Sequence, residues 1–297
     1  MKIVVTGKEG QVDTSLQMLA DATPGVAVLR LGLPEIDLSR PATLEAAIRA
    51  AAPDVIVSSA AYTAVDKAES EPELAQRING DGPGELARIA RRLDVPIIHL
   101  STDYVFAGDK LGVYDEDDAP APDSVYGSSK LSGERQVAAG AADHVILRTA
   151  WVYSPYGHNF VRTMLRLAET RDEVAVVADQ HGCPTYAPEI ARAVLAVAHR
   201  LRADSDPGLR GLFHLTGQGE TTWAAFAEAI FAAQGRRGGP SATVRPITTA
   251  DYPTAARRPA NSRLSGVKLK HTYGLQLDPW RVSLEHCLDA LAHAAAS

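Results

Sequence analysis

A chain of 297 residues, 45% apolar and 22% charged, holds enough hydrophobic material for one large domain or two modest ones at roughly 150 residues each. Its formal net charge of −6 argues against the broad basic surface that nucleic-acid binding wants, and no apolar run approaches the roughly 18 residues that span a bilayer. Cys183 and Cys287 form no CxxC, the nine histidines make no HxxxH or HExxH spacing, and the opening residues lack a signal-peptide pattern. We therefore expect no disulfide framework, no metal site, no nucleic-acid or membrane partner, and a cytoplasmic location.

In chain order, short β-branched runs alternate with longer Ala/Leu/Arg segments. Strands are expected at 2–6, 26–31, 54–57, 95–101 and 144–148. Helices are expected at 10–20, 42–51, 71–93 (in large part) and 124–138. The strand runs are continuously apolar, as parallel strands covered on both faces are. This order predicts an α/β fold with a doubly wound parallel sheet of Rossmann type over residues 1–150. The pattern loosens beyond it, with helices at 159–169, 188–201, 222–233 and 279–294, strands at 173–177 and 212–215, and a Gly/Pro/Arg-rich loop over 234–259. Residues 151–297 are expected to form mainly a smaller, substrate-binding lobe, with some segments returning to the first domain.

The first strand ends in Thr6-Gly7-Lys8-Glu9-Gly10-Gln11-Val12. Glycines three apart at a strand-to-helix turn let the backbone approach a pyrophosphate, whose charge the helix N-terminus favours. The bland alternative is an ordinary turn. Asp13 stands where the usual fingerprint has a third glycine, placing an acid beside the phosphates. Strand two ends at Arg30 rather than an acid, which predicts preference for NADPH, with NADH also possible.

Tyr126-Gly127-Ser128-Ser129-Lys130 is the most informative segment. Residues four apart share a helix face, so a phenol and an ammonium lie side by side, and the cation is expected to lower the phenol pKa. Such a phenol can donate a proton to a carbonyl oxygen as hydride reaches the carbon. Upstream, Thr102 ends an apolar strand, where ligands bind in a doubly wound sheet.

Several segments make the chain resemble the dTDP-4-dehydrorhamnose reductases, an extended branch of the short-chain dehydrogenase/reductases. They are GKEGQV (7–12), AAYTAVDKAESEPELA (60–75), STDYVF (101–106), VYGSSKLSGE (125–134), RTAWVY (148–153), NFVRTMLRLA (159–168) and RPANSRL (258–264). The resemblance implies NAD(P)H-dependent reduction of the C4 ketone of dTDP-4-dehydro-L-rhamnose. It implies Tyr126 as proton donor, Lys130 on the nicotinamide ribose and Thr102 orienting the sugar carbonyl. Asp103, Trp151 and Arg258 would contact the sugar nucleotide, with Arg257 and Arg263 as further diphosphate candidates. Gly7, Gly10, Gln11 and Val12 would cradle the pyrophosphate, and Asp37, Leu38, Ala61, Tyr62 and Thr63 would line the adenosine side.

Ser58-Ser59 departs from a usual Asn-Ala pair. Ser15 replaces a glutamate that some members link to a metal-bridged dimer, so no metal is expected. The acidic run 115–118 reads as a solvated loop. Two other readings are a 4-ketoreductase for a different dTDP-deoxysugar and a non-catalytic regulatory subunit with the same fold. A monomer or homodimer is expected.

Overall fold

The computed structural model describes residues 1–296. Six parallel strands form its main sheet: β1 (Lys2–Thr6), β2 (Ala27–Leu31), β3 (Val55–Ser58), β4 (Ile97–Thr102), β5 (His144–Thr149) and β6 (Gly211–His214). Their spatial order is β2-β1-β3-β4-β5-β6. The chain runs outward from β1 to β2, then crosses back to place β3 on the other side of β1. That reversal opens a crevice at the carboxyl ends of β1 and β3, the place where doubly wound sheets bind ligands.

Alternating side chains of these strands feed two cores. Ile3, Val5, Val57, Ile98 and Leu147 pack under the helices Gln11–Asp21 and Ala187–Ala203. Val4, Ile56, Ile97 and Ile146 pack under Leu44–Ala51, Gly82–Leu93 and Val125–Gly140. The central strands β1, β3, β4 and β5 are thus buried on both faces, which is why their sequences run largely apolar rather than alternating, while the edge strand β2 leaves Ala27 and Leu29 exposed.

The helical stretch expected at 71–93 is broken. Pro72–Gln76 and Gly82–Leu93 flank a π-helical turn at Arg77–Asp81. Asn79 lies in this turn, fully buried, and donates from Nδ2 to the Tyr62 carbonyl (3.1 Å) and Ser129 Oγ (3.0 Å). The wider turn supplies the geometry for those bonds.

A separate core holds much of the second half: Tyr153, Val161, Phe226, Ile230, Trp280 and Leu284. It joins the helices Phe160–Ala168, Trp223–Arg236 and Trp280–Ala296. One expectation fails here. The stretch 234–259 is not all loop, because Thr243–Ile247 pairs in parallel with Glu173–Val177. Most of that strand is exposed and it contains Pro246. An edge strand tolerates a proline and carries little apolar signal, so its sequence looks like loop. The short helix Val267–Tyr273 is also absent from the sequence reading.

Candidate active site

Thr102 is the last residue of β4, and Thr149 of β5 is its register partner. The helix Val125–Gly140 starts beside it, capped by Ser124 Oγ, which accepts from Gly127 N at 3.1 Å. A Cβ on Gly127 would collide with the Tyr104 carbonyl, so glycine here lets the first turn press against the strand end. The half-buried Tyr126 is thereby placed beside the Thr102 side chain. Thr102 Oγ1 also donates to Asp103 Oδ1 (3.0 Å) and accepts from Tyr104 N (3.2 Å). The Tyr104 ring meets Tyr126 edge-on, with centroids 5.4 Å apart.

One helical turn on, Lys130 is buried and donates from Nζ to the Leu100 carbonyl at 2.6 Å. Burial pulls its ammonium down to about 8, against the neighbouring Glu134 charge. The expected lowering of the phenol by this lysine is not what the fold displays. Burial and the Asp103 carboxyl push Tyr126 above its ordinary value. Desolvation disfavours the phenolate, and the ammonium is engaged by a β4 carbonyl instead. The site therefore holds a neutral phenol, the form able to donate a proton.

Behind the lysine lies a buried ion pair that the sequence reading did not single out. Glu134 receives Arg148 Nε at 2.8 Å and Nη2 at 2.7 Å, and accepts from Ser101 Oγ at 2.5 Å. Tyr126, Lys130 and Glu134 are spaced by four, so they line one face. His99 is also buried there, with Nδ1 3.0 Å from Ser58 Oγ. Burial and the Lys130 charge hold it neutral, well below its ordinary pKa. A third helical step and a serine at the strand end were the available signals.

At the crevice, Gly7 has φ +115°, a conformation that favours glycine. Its N–H bonds the Leu31 carbonyl at 2.7 Å. Gly10 caps the following 11-residue helix. The loop and helix terminus fit a phosphate group, with one qualification. Asp13 is buried, its Oδ2 accepts from Gly10 N at 3.1 Å, and a Cβ on Gly10 would collide with its Oδ1. Burial pushes this carboxyl above its ordinary value. Gln11 ties the helix start to the second half, donating to Val152 O (3.3 Å) and accepting from Ser154 Oγ (2.8 Å). The Val12 side chain is in the core, leaving only its backbone for a ligand.

Arg30 is half-buried and donates to the Lys8 carbonyl at 2.7 Å, while Lys8 pairs with Glu35. Asp37 is held by Ser39 N (2.9 Å) and Oγ (2.7 Å), and Leu38 is buried. Ala61 and Tyr62 are half-buried and Thr63 exposed beyond β3. Tyr62 N bonds Asn79 Oδ1 at 2.7 Å and its hydroxyl bonds Glu71 at 2.6 Å.

On the other side, Trp151 follows β5 and carries φ +50°, rare for a bulky residue. Its indole stacks on Trp223, with centroids 3.5 Å apart, and fits only because residue 182 is glycine. Of the three arginines, Arg258 pairs with Asp66 at 2.5 Å. Arg257 pairs with Asp123, and Arg263 is engaged by Asn261, Glu220 and the Leu111 carbonyl. Ser262 is buried and lies close enough to the Asp103 carboxyl to ease its burial, and was not singled out from the sequence. The acidic run is more structured than a solvated loop: Glu116 accepts from His214 N at 2.7 Å, and Asp118 pairs with Lys110. Among the described residues one cluster, Glu189, Asp278 and His286, brings possible cation ligands within 4.8 Å of one another.

A Rossmann-like sheet with a Tyr-x3-Lys helix beside the end of β4 defines a short-chain dehydrogenase/reductase of the extended type. The family model described as the RmlD substrate binding domain matches residues 1–293. A dTDP-4-dehydrorhamnose reductase of Sinorhizobium fredii is 53% identical over 291 residues, covering 98% of either chain. A Clostridium acetobutylicum structure of that description superposes with a TM-score of 0.91 at 37% identity, covering 98% of this chain and 100% of that one. The Bacillus anthracis counterpart, solved in complex with NADP, gives 0.90 at 33% identity over 97% and 99%. The chain belongs to the dTDP-4-dehydrorhamnose reductase family. Among the described residues, no helix is long and apolar enough to cross a membrane.

Proposed function

We propose that this chain reduces the C4 ketone of dTDP-4-dehydro-L-rhamnose to dTDP-L-rhamnose, with Thr102, Tyr126 and Lys130 as its catalytic residues. The observation that carries the reading is the placement of Tyr126 beside Thr102 at the carboxyl end of β4, one helical turn before the buried Lys130. A reduced nicotinamide, when bound, supplies the hydride. Tyr126 donates its proton to the ketone oxygen, and the burial that keeps the phenol neutral makes it a donor rather than a base. Thr102 orients that oxygen. Lys130, one turn away, holds the nicotinamide ribose and adds positive charge to the pocket. Asp103, Trp151 and Arg258 line the sugar-nucleotide side.

Residues 1–150 hold the cofactor and 151–297 mainly close over the substrate, with 187–214 returning to the sheet. Gly7, Gly10, Gln11 and the Val12 backbone receive the pyrophosphate. Asp37, Leu38, Ala61, Tyr62 and Thr63 flank the adenosine. NADPH is preferred because the end of β2 carries Arg30, with Lys8 adjacent, where an acid would favour NADH. Tyr126→Phe removes only the phenolic oxygen. Turnover should fall by roughly 10²–10⁴-fold, with circular dichroism and NADPH binding unchanged. Retention of wild-type kcat would show that another group is the acid.

A further inference from the structure

Trp151 stands where the two halves of the chain meet. On one side it packs against Val105 and Phe106, just beyond Asp103, and against Leu131, next to Lys130. Its backbone sits at φ +50°, which a bulky residue rarely adopts and which persists where the surroundings over-determine it. The Trp151 carbonyl accepts from Thr185 N at 3.1 Å, and Val152–Tyr153 pairs in parallel with Thr185–Tyr186. Those bonds fix the main chain. The indole itself is left to its neighbours.

Two residues hold it. Trp223 lays its own indole over that of Trp151, with the planes 10° apart and the centroids 3.5 Å apart. Trp223 is in turn the first residue of the helix Trp223–Arg236, whose cap Thr222 Oγ1 accepts from Ala225 N at 3.2 Å. Phe160 meets the Trp223 ring at 4.5 Å and stacks on Phe226, a member of the second-half core. The other neighbour is Gly182. A Cβ there would stand 2.3 Å from Cε2 and 2.6 Å from Nε1 of Trp151. Thr221 and Thr222 pair with Gly182 and His181, so one short ladder carries Gly182 on one strand and leads straight into Trp223 on the other. Glycine and indole together make a slot for Trp151.

We propose that Trp223 is a positioning residue for the substrate, acting through Trp151. It holds that indole as a fixed wall of the sugar-nucleotide site. The inference rests on Trp151 lining that site. A preset wall needs no ordering when the ligand arrives, whereas a loose one must be ordered at the expense of affinity. Loss of the stack therefore weakens sugar-nucleotide binding and leaves proton transfer at Tyr126 untouched.

The test uses three variants. Trp223→Leu removes the stacked ring, Trp223→Phe keeps an aromatic face, and Gly182→Ala presses on Trp151 while leaving Trp223 in place. At saturating NADPH, the KM for the 4-keto sugar nucleotide should rise about tenfold in Trp223→Leu and in Gly182→Ala, near the upper end of what an aromatic pair contributes. A loss of binding shared by ground and transition states leaves kcat within about threefold of wild type. The Kd for NADPH should not change, and Trp223→Phe should recover most of the loss. The chain has three tryptophans, Trp151, Trp223 and Trp280, so fluorotryptophan labelling gives three fluorine resonances, with Trp151 assigned by Trp151→Phe. Its resonance should move in Trp223→Leu and Gly182→Ala. Where Trp223→Leu fails to fold, Gly182→Ala and Trp223→Phe decide. An unchanged KM in these variants, beside a raised KM in Trp151→Ala, overturns the proposal. So does a loss shared equally with NADPH binding, or one carried by kcat alone. An unchanged KM in Trp151→Ala would instead overturn the reading of Trp151 as part of the sugar site, and the proposal with it.

Discussion

The two ends of the ligand crevice are built by opposite rules. At the catalytic end, Thr102, Asp103, Lys130, Glu134 and Arg148 are all buried and bonded to one another or to the backbone. At the cradle end, Lys8, Arg30 and Glu35 are half-buried or exposed, and their ion pairing faces water. A buried polar network holds one geometry because leaving any member unpaired is costly. An exposed one can be rearranged cheaply. The cradle also carries Asp13, where the usual fingerprint has a third glycine. Substitution should therefore cost fold stability at the first end and retune cofactor affinity at the second.

The largest effect is expected at the anchor behind Lys130. Glu134→Ala leaves Arg148 charged and buried with one side chain fewer to meet it, and Arg148 Nη1 already lacks a partner. Breaking a buried pair from one side costs about 3–5 kcal/mol. Denaturant unfolding should show a loss of that size. A loss under about 1 kcal/mol would mean that the pair behaves like a surface bridge, and the contrast between the two ends would fail.

The same contrast explains what the sequence disclosed. The central strands were legible because burial on both faces makes them largely apolar. Thr102, Tyr126 and Lys130 were legible because a strand end and a four-residue spacing fix their places relative to the backbone. Asp13 was visible as an intruder in a glycine pattern, but its bond to Gly10 N was not, since that depends on a rotamer. Ser262 and Trp223 were out of reach. They sit roughly 160 and 72 residues from the partners they touch, Asp103 and Trp151, and long-range contacts leave no local period. The direction of the Tyr126 shift was misjudged because spacing reports the proximity of a cation and not the desolvation that outweighs it.

A smaller effect is expected from removing the intruding charge. In Asp13→Asn the side chain can still accept from Gly10 N, but no carboxylate opposes the diphosphate. At close range the repulsion is worth about 1–4 kcal/mol, so NADPH should bind about tenfold tighter. In wild type the carboxyl pKa is raised by burial. Below that raised value it is neutral and tolerates the phosphates; above it the carboxylate repels them. The wild-type Kd should therefore weaken as pH rises through the transition, and the Asn variant should lose this slope. Fluorescence titration of bound NADPH across pH measures both. Equal affinities at every pH would show that Asp13 swings clear of the cradle when the cofactor binds.

The smallest expected effect concerns the choice between cofactors. Arg30, next to last in β2, is half-buried, with its guanidinium on the Lys8 carbonyl rather than in an ion pair, so it can turn toward a 2′-phosphate without leaving a buried partner stranded. Lys8 is less free, since it pairs with Glu35 and donates to Leu33 O at 3.2 Å. An exposed charge pair of this kind is worth only about 0.2–1 kcal/mol, which corresponds to a ratio of a few-fold. Wild type should prefer NADPH by that modest factor in kcat/KM, and Arg30→Asp should reverse it, because an acid at this strand end accepts from a free ribose 2′-hydroxyl and repels a phosphate. Asp13 faces the diphosphate common to both cofactors and should leave the ratio unchanged, so Asp13→Asn serves as the internal control. A wild-type preference for NADH, or a ratio that Arg30→Asp does not move, would mean that Arg30 serves only to hold the glycine loop through Lys8.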